Sequence, residues 1–106
     1  MSSNLDDLIE DIDRFAAERK WGHFHTPKNL AMSVAIEAGE LMEIFQWLTP
    51  EEALAVGNDP DARDQVKGEV ADVLIYLLRL CSVLGIDPIE AAADKMEANR
   101  ARSWPR

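Results

Sequence analysis

Thr26-Pro27, Thr49-Pro50 and Asp87-Pro88 each pair a helix-capping residue with a proline. They restrict the fold more than any other feature. A hydroxyl or carboxylate at the N-cap accepts from the first free backbone amides, and proline at the first helical position lacks an amide that would be unpaired anyway. Each pair therefore starts a helix. Between them apolar residues recur at helical spacing, and no stretch alternates as a strand would. The pattern predicts a first helix from about Asn4 to Lys20, with Leu5, Leu8, Ile9, Ile12, Phe15 and Ala16 on one apolar face. A second runs from Pro27 to about Leu48, and a short one covers Pro50 to Val56. Gly57-Asn58-Asp59-Pro60 reads as a break. A third long helix then runs from about Asp61 to Leu84 and stops at Gly85, and a fourth from Pro88 to about Arg102, before a tail over 103–106. Four main helices with short turns predict a single all-α domain over residues 1–106, a four-helix antiparallel bundle.

At 106 residues, 47% of them apolar, the chain can build one core. A domain this short buries only about 60–70% of its unfolded surface, so self-association is expected to help it. The net charge of −9 excludes general nucleic-acid binding, which needs a basic surface. A phosphorylated ligand would need something to neutralise the acids first, and a divalent metal would do that. Cys81 stands alone in an apolar run, so neither an intrachain disulfide nor a zinc-ligand spacing arises. The N-terminus is polar and acidic, unlike a secretory leader. The run Val70 to Leu84 carries Asp72 and Arg79 and is too short to span a bilayer. A cytoplasmic location without a membrane partner is the expectation.

Four acids stand out. Glu37 and Glu40 lie on neighbouring turns of the second helix, and Glu69 and Asp72 repeat that spacing on the third. One such pair is weak evidence, because surface helices are full of them. Here, however, Glu40 falls between Ile44 and Trp47 on the helical wheel, and Glu37 between Leu30 and Ile44. No Lys or Arg occurs between Lys28 and Arg63. The third long helix has one narrow polar stripe, Gln65, Glu69, Asp72, Tyr76 and Arg79, and is otherwise apolar, so its acids are buried or line a cleft. A buried, unpaired carboxylate is costly, and a metal removes that cost. Both pairs lie roughly 14 Å from the loop joining their helices, at 1.5 Å per residue, so a hairpin brings them to one level. Four carboxylates without His or Cys form an all-oxygen set that favours Mg²⁺ or Mn²⁺.

The Glu37-x-x-Glu40 and Glu69-x-x-Asp72 pairs resemble the signature of the MazG-like all-α nucleotide pyrophosphohydrolases. The words Phe15-Ala16-Ala17-Glu18-Arg19-Lys20-Trp21, His25-Thr26-Pro27-Lys28-Asn29-Leu30, Glu40-Leu41-Met42-Glu43-Ile44-Phe45-Gln46-Trp47, Asp72-Val73-Leu74-Ile75-Tyr76-Leu77 and Lys95-Met96-Glu97-Ala98-Asn99-Arg100 are similar to the dCTP pyrophosphatase branch. This resemblance spans about residues 10 to 103. It implies magnesium-dependent hydrolysis of a (deoxy)nucleoside triphosphate to the monophosphate and pyrophosphate, and a homotetramer built as a dimer of dimers.

On that reading Glu37, Glu40, Glu69 and Asp72 hold Mg²⁺, and Glu40 or Glu69 serves as the catalytic base. Lys95, Asn99 and Arg102 form one stripe of the last helix and, with Lys28 or Arg79, could grip the polyphosphate. Trp21, Phe24, Trp47 and Tyr76 are candidates to stack on or wall the base, and His25 could touch it. Two other functions compete. One is a non-catalytic helical interaction module with a structural cation. The other is a sister enzyme acting on dUTP or a damaged nucleotide.

Overall fold

The computed structural model describes residues 4–102. The Trp104-Pro105-Arg106 tail lies outside them. Among the described residues every regular element is helical. In order they are α1 (Leu5–Glu18), α2 (Pro27–Phe45), α3 (Pro50–Ala55), a single 3₁₀ turn (Val56–Asn58), α4 (Pro60–Leu84) and α5 (Pro88–Ala101). The three cap–proline pairs do start helices, and the side chains of Thr26, Thr49 and Asp87 accept from backbone amides. At Thr49 the cap is reciprocal, because Glu52 also accepts from the Thr49 amide. The break before α4 proves to be a fourth such start. The Asp59 carboxylate caps the amides of Asp61 and Ala62, and Pro60 is the first helical residue.

Two helix ends fold back through a left-handed residue. At Gly85 (φ 68°) this is unstrained, and the Ile86 amide reaches the Cys81 carbonyl. At the end of α1 the same turn falls on Lys20 (φ 57°), with the Trp21 amide on the Ala16 carbonyl. A side chain in that conformation costs about 1–2 kcal/mol, which glycine would avoid.

The α2–α4 hairpin is the principal packing unit, and α1 lies against α4. Among the described residues, Leu30, Leu78 and Ala16, one residue from each of three helices, are the hydrophobic side chains shut off from solvent. The four-helix closure expected from the sequence is not completed among the described residues of this chain. α5 buries no side chain, and Ile89 and Met96 on it remain exposed. Along α2 and α4, Ile36, Met42, Val70, Leu74 and Leu77 are also exposed. The surface area is 8337 Å², against roughly 6,000 Å² for a folded monomer of this mass. The radius of gyration is 16.5 Å, against about 13 Å. The apolar stripes that the sequence places inside a bundle thus outnumber the surfaces one chain offers them. Cys81 is half-buried and makes no disulfide.

Candidate active site

Three-residue spacing puts Glu37 and Glu40 on successive turns of α2, where they face Glu69 of α4. One carboxylate oxygen from each lies within 4.8 Å of the other two. Glu37 and Glu69 are half-buried, and Glu40 is exposed. Oε2 of Glu37 and Oε2 of Glu69 are closed off from solvent without a hydrogen-bond partner. The ion pairs formed by the described residues, Asp11–Arg14, Asp13–Arg79 and Glu97–Arg100, leave these acids out.

Electrostatics follow from this crowding. Burial, then the nearby charges of Glu40, Asp72 and Glu69, push the Glu37 carboxyl above its usual range. Burial, then Glu40 and Asp72, do the same to Glu69, partly offset by Glu37. Asp72 thus adds its charge to the surroundings of Glu37 and Glu69, yet it is exposed and is not part of the tight trio. The fourth expected ligand is near the trio, not within it. Three close carboxylates with two dry, unpaired oxygens suit a hard divalent cation, for which Mg²⁺ or Mn²⁺ is the chemical match.

Two clefts flank the acids. An open groove of about 430 Å³ is lined by Glu40, Glu43, Ile44, Gln65 and Glu69. A second cleft, of about 320 Å³ and more enclosed, lies between α1 and α4. Phe15, Trp21, His25, Asp72, Tyr76 and Arg79 contribute to its wall. Its aromatic corner is built by the Lys20 turn, which swings Trp21 back against α1. The Trp21 ring meets Phe15 edge-on at 5.3 Å and His25 at 5.6 Å. Trp21, Phe24, His25 and Tyr76 also share an adjoining recess over α2.

Of the residues singled out in the sequence, Trp21, His25, Tyr76 and Asp72 thus meet at one cleft, and Glu40 and Glu69 at the other. Trp47 departs from expectation. α2 ends at Phe45, three residues short of Leu48, so Trp47 sits beyond the helix and is 86% exposed. Lys28 is exposed in the first turn of α2. Lys95, half-buried Asn99 and Arg102 ride on or just after α5, and none of these four lines either cleft. Arg79 is already engaged within the chain. Its Nη1 lies 2.8 Å from the Asp13 carboxylate, and its Nε donates to His25 Nδ1 at 2.9 Å. Sequence reasoning passed over Asp13, because its partner stands 66 residues away and no local pattern links the two.

Comparison with known proteins agrees with the geometry. A profile of the MazG-like family matches residues 32–105. The human protein dCTP pyrophosphatase 1 is 44% identical over 98 residues, 89% of this chain and 58% of the human one. The bovine protein of that name is 40% identical over 95% of this chain and 62% of its own length. A dATP/dGTP diphosphohydrolase of Cyanophage S-2L shares 58% identity over 38 residues, 36% of each chain. The chain spans about three fifths of the mammalian relatives. A crystal structure of a pyrophosphatase from Archaeoglobus fulgidus superimposes with a TM-score of 0.88 at 43% identity, covering 100% of this chain and 96% of the other. By sequence and by fold, this chain belongs to the MazG-like family.

Proposed function

We propose that this protein is a magnesium-dependent nucleoside triphosphate pyrophosphohydrolase that converts dCTP, or a related pyrimidine deoxynucleotide, to the monophosphate and pyrophosphate. The observation that carries the reading is the pair of dry, unpaired oxygens on Glu37 and Glu69 within a trio of carboxylates that lacks a basic partner. An arrangement so unfavourable by itself is supported if a cation completes it. Glu37, Glu40 and Glu69 would hold Mg²⁺ (Mn²⁺ is an equivalent hard ion), with Asp72 adding charge from the next turn. When bound, the ion supplies positive charge to the triphosphate oxygens and to the charge that develops as the phosphoanhydride breaks.

The chain's own groups do the rest. Glu40 is the exposed member of the trio and borders the open groove, so it is placed to accept a proton from the water that attacks the α-phosphorus. The α,β-anhydride bond breaks and pyrophosphate departs with its electron pair. Trp21 and Tyr76 wall the second cleft, whose size and aromatic corner suit a nucleobase. Lys28, Lys95, Asn99 and Arg102 lie apart from both clefts in one protomer. Any grip on the phosphates by α5 residues therefore calls for a neighbouring copy.

Self-association has independent support. The protomer exposes Ile36, Met42, Leu74, Leu77 and Trp47, and its surface exceeds that of a monomer by an amount comparable to a stable interface. We place the protein in a homotetramer, a dimer of dimers, with the open sides of the hairpin covered by other copies. Incubation with a deoxynucleotide and ribonucleotide panel plus Mg²⁺, resolving pyrophosphate from orthophosphate, tests the activity. Pyrophosphate with the monophosphate is the expected pair, with dCTP among the best substrates. Orthophosphate alone would refute the reaction. Sedimentation analysis tests the assembly, and a concentration-independent monomer would refute it.

A further inference from the structure

The Arg79 contacts have a chemical consequence for the second cleft. A guanidinium only donates hydrogen bonds. His25 Nδ1 faces Arg79 Nε at 2.9 Å, so that nitrogen must be the unprotonated one. The single proton of a neutral imidazole is then on Nε2. Asp13 holds the other side of the guanidinium at 2.8 Å, and Arg79 is only 17% exposed, so the fork cannot easily turn away. No described group accepts a hydrogen bond from Nε2, and His25 borders both the cleft and the recess beside Trp21 and Tyr76.

The geometry points to Arg79, anchored by Asp13, as a positioning residue that fixes His25 in the Nε2–H tautomer, giving the aromatic cleft one oriented donor for an acceptor on a planar heterocycle, such as a ring carbonyl oxygen. This rests on the proposed nucleotide substrate and adds how its base edge is read. Arg79 reaches the ligand only through His25. A donor locked in this way favours a base that presents a carbonyl or bare ring nitrogen at that edge, and disfavours one that presents an amino group. The surroundings keep the ring neutral: burial, then the Arg79 charge, hold the His25 pKa below its ordinary value. The charged groups bordering the same cleft are Asp11 from α1, and Asp72 and Arg79 from α4, with Asp13 behind Arg79.

Long-range ¹H–¹⁵N correlation spectra of the full chain read the tautomer directly. The wild type should give the neutral Nε2–H pattern for His25 near neutral pH. In Arg79→Gln, and in Arg79→Lys, which keeps the charge without the planar fork, the pattern should shift toward a mixture of tautomers. Nucleotide KM should then rise about 5–10-fold, the equivalent of one lost neutral hydrogen bond, while kcat falls far less. His25→Gln, which retains a donor, should recover part of the KM lost in His25→Ala. A wild-type Nδ1–H or imidazolium pattern overturns the inference. So does an Arg79 variant that folds, loses the tautomer and binds nucleotide unchanged. If turnover is absent but the Nε2–H pattern stands and Kd follows the same series, the enzymatic reading fails and this one survives.

Discussion

The polar stripe of α4 meets the rest of the chain twice, with opposite outcomes. At Glu69 it faces Glu37 and Glu40, and three acids share a space with no base. Two turns and more along, at Arg79, it meets Asp13 and His25, and the guanidinium Nε and Nη1 each have an acceptor. Both clusters are partly buried on the same helix. The Arg79 cluster pairs its charge with Asp13 and ties α1 and the aromatic connector to the hairpin. The acid cluster is deficient in positive charge. A buried group left without a partner in a folded chain points to a ligand, whereas a paired one points first to the architecture that positions its neighbours.

The largest test of that contrast is truncation of one member on each side. Glu69→Ala should lower kcat by about 10²–10⁴-fold, the range for removing a group that organises a catalytic ion or its charge, with unchanged far-ultraviolet circular dichroism. Its metal-free thermal midpoint should hold or rise. Arg79→Ala should do the reverse to stability. It strands Asp13 and His25 Nδ1 and should lower the unfolding free energy by about 1–3 kcal/mol in urea melts, discounted for partial exposure of Asp13. Equal destabilisation by both changes would erase the distinction.

Acid should also move the clusters in opposite senses. Glu37 and Glu69 have raised folded-state pKa values, so above the ordinary 4.5 the folded state holds protons that the unfolded chain has released. Their contribution to stability therefore declines as pH rises and stays low at neutrality without metal. His25 has a depressed value, so its contribution is present above the ordinary 6.5 and is lost as pH falls. In metal-free melts from pH 7 to 5, the double variant Glu37→Gln/Glu69→Gln should lose midpoint more steeply than wild type. Saturating Mg²⁺ at pH 7 should raise the wild-type midpoint and leave the double variant nearly unmoved. The smallest effect belongs to the corner between the clusters. Lys20→Gly should stabilise by about 1 kcal/mol by relieving the left-handed backbone, measurable as a small rise in denaturant midpoint.

Much of this was legible in the chain itself. Capping chemistry is local, so Thr26-Pro27, Thr49-Pro50 and Asp87-Pro88 disclosed where α2, α3 and α5 begin. Asp59-Pro60 carried the same message, masked by the Gly57-Asn58 turn before it. The acid pairs were readable because helical spacing and the lack of nearby bases are properties of neighbours in sequence. Asp72 fell outside the tight trio because wheel angles give a face and not an inter-helix distance. Trp47 was projected onto the Glu40 face by extending α2 past Phe45, and the earlier end leaves it in solvent. The Arg79–Asp13–His25 knot joins residues that only tertiary packing makes adjacent, so no periodicity could announce it. The unclosed bundle has the same origin: α5 carries a good start signal, but a start signal does not say what the helix will lie against.

The three dry hydrophobic side chains among the described residues, Ala16, Leu30 and Leu78, are a thin keel for a chain of this length. If copies cover the apolar faces left open, as proposed above, much of the hydrophobic driving force is realised only when they meet, and folding answers to mass action. Its melting point should climb with protein concentration, and dilution should act on it as a denaturant does on others.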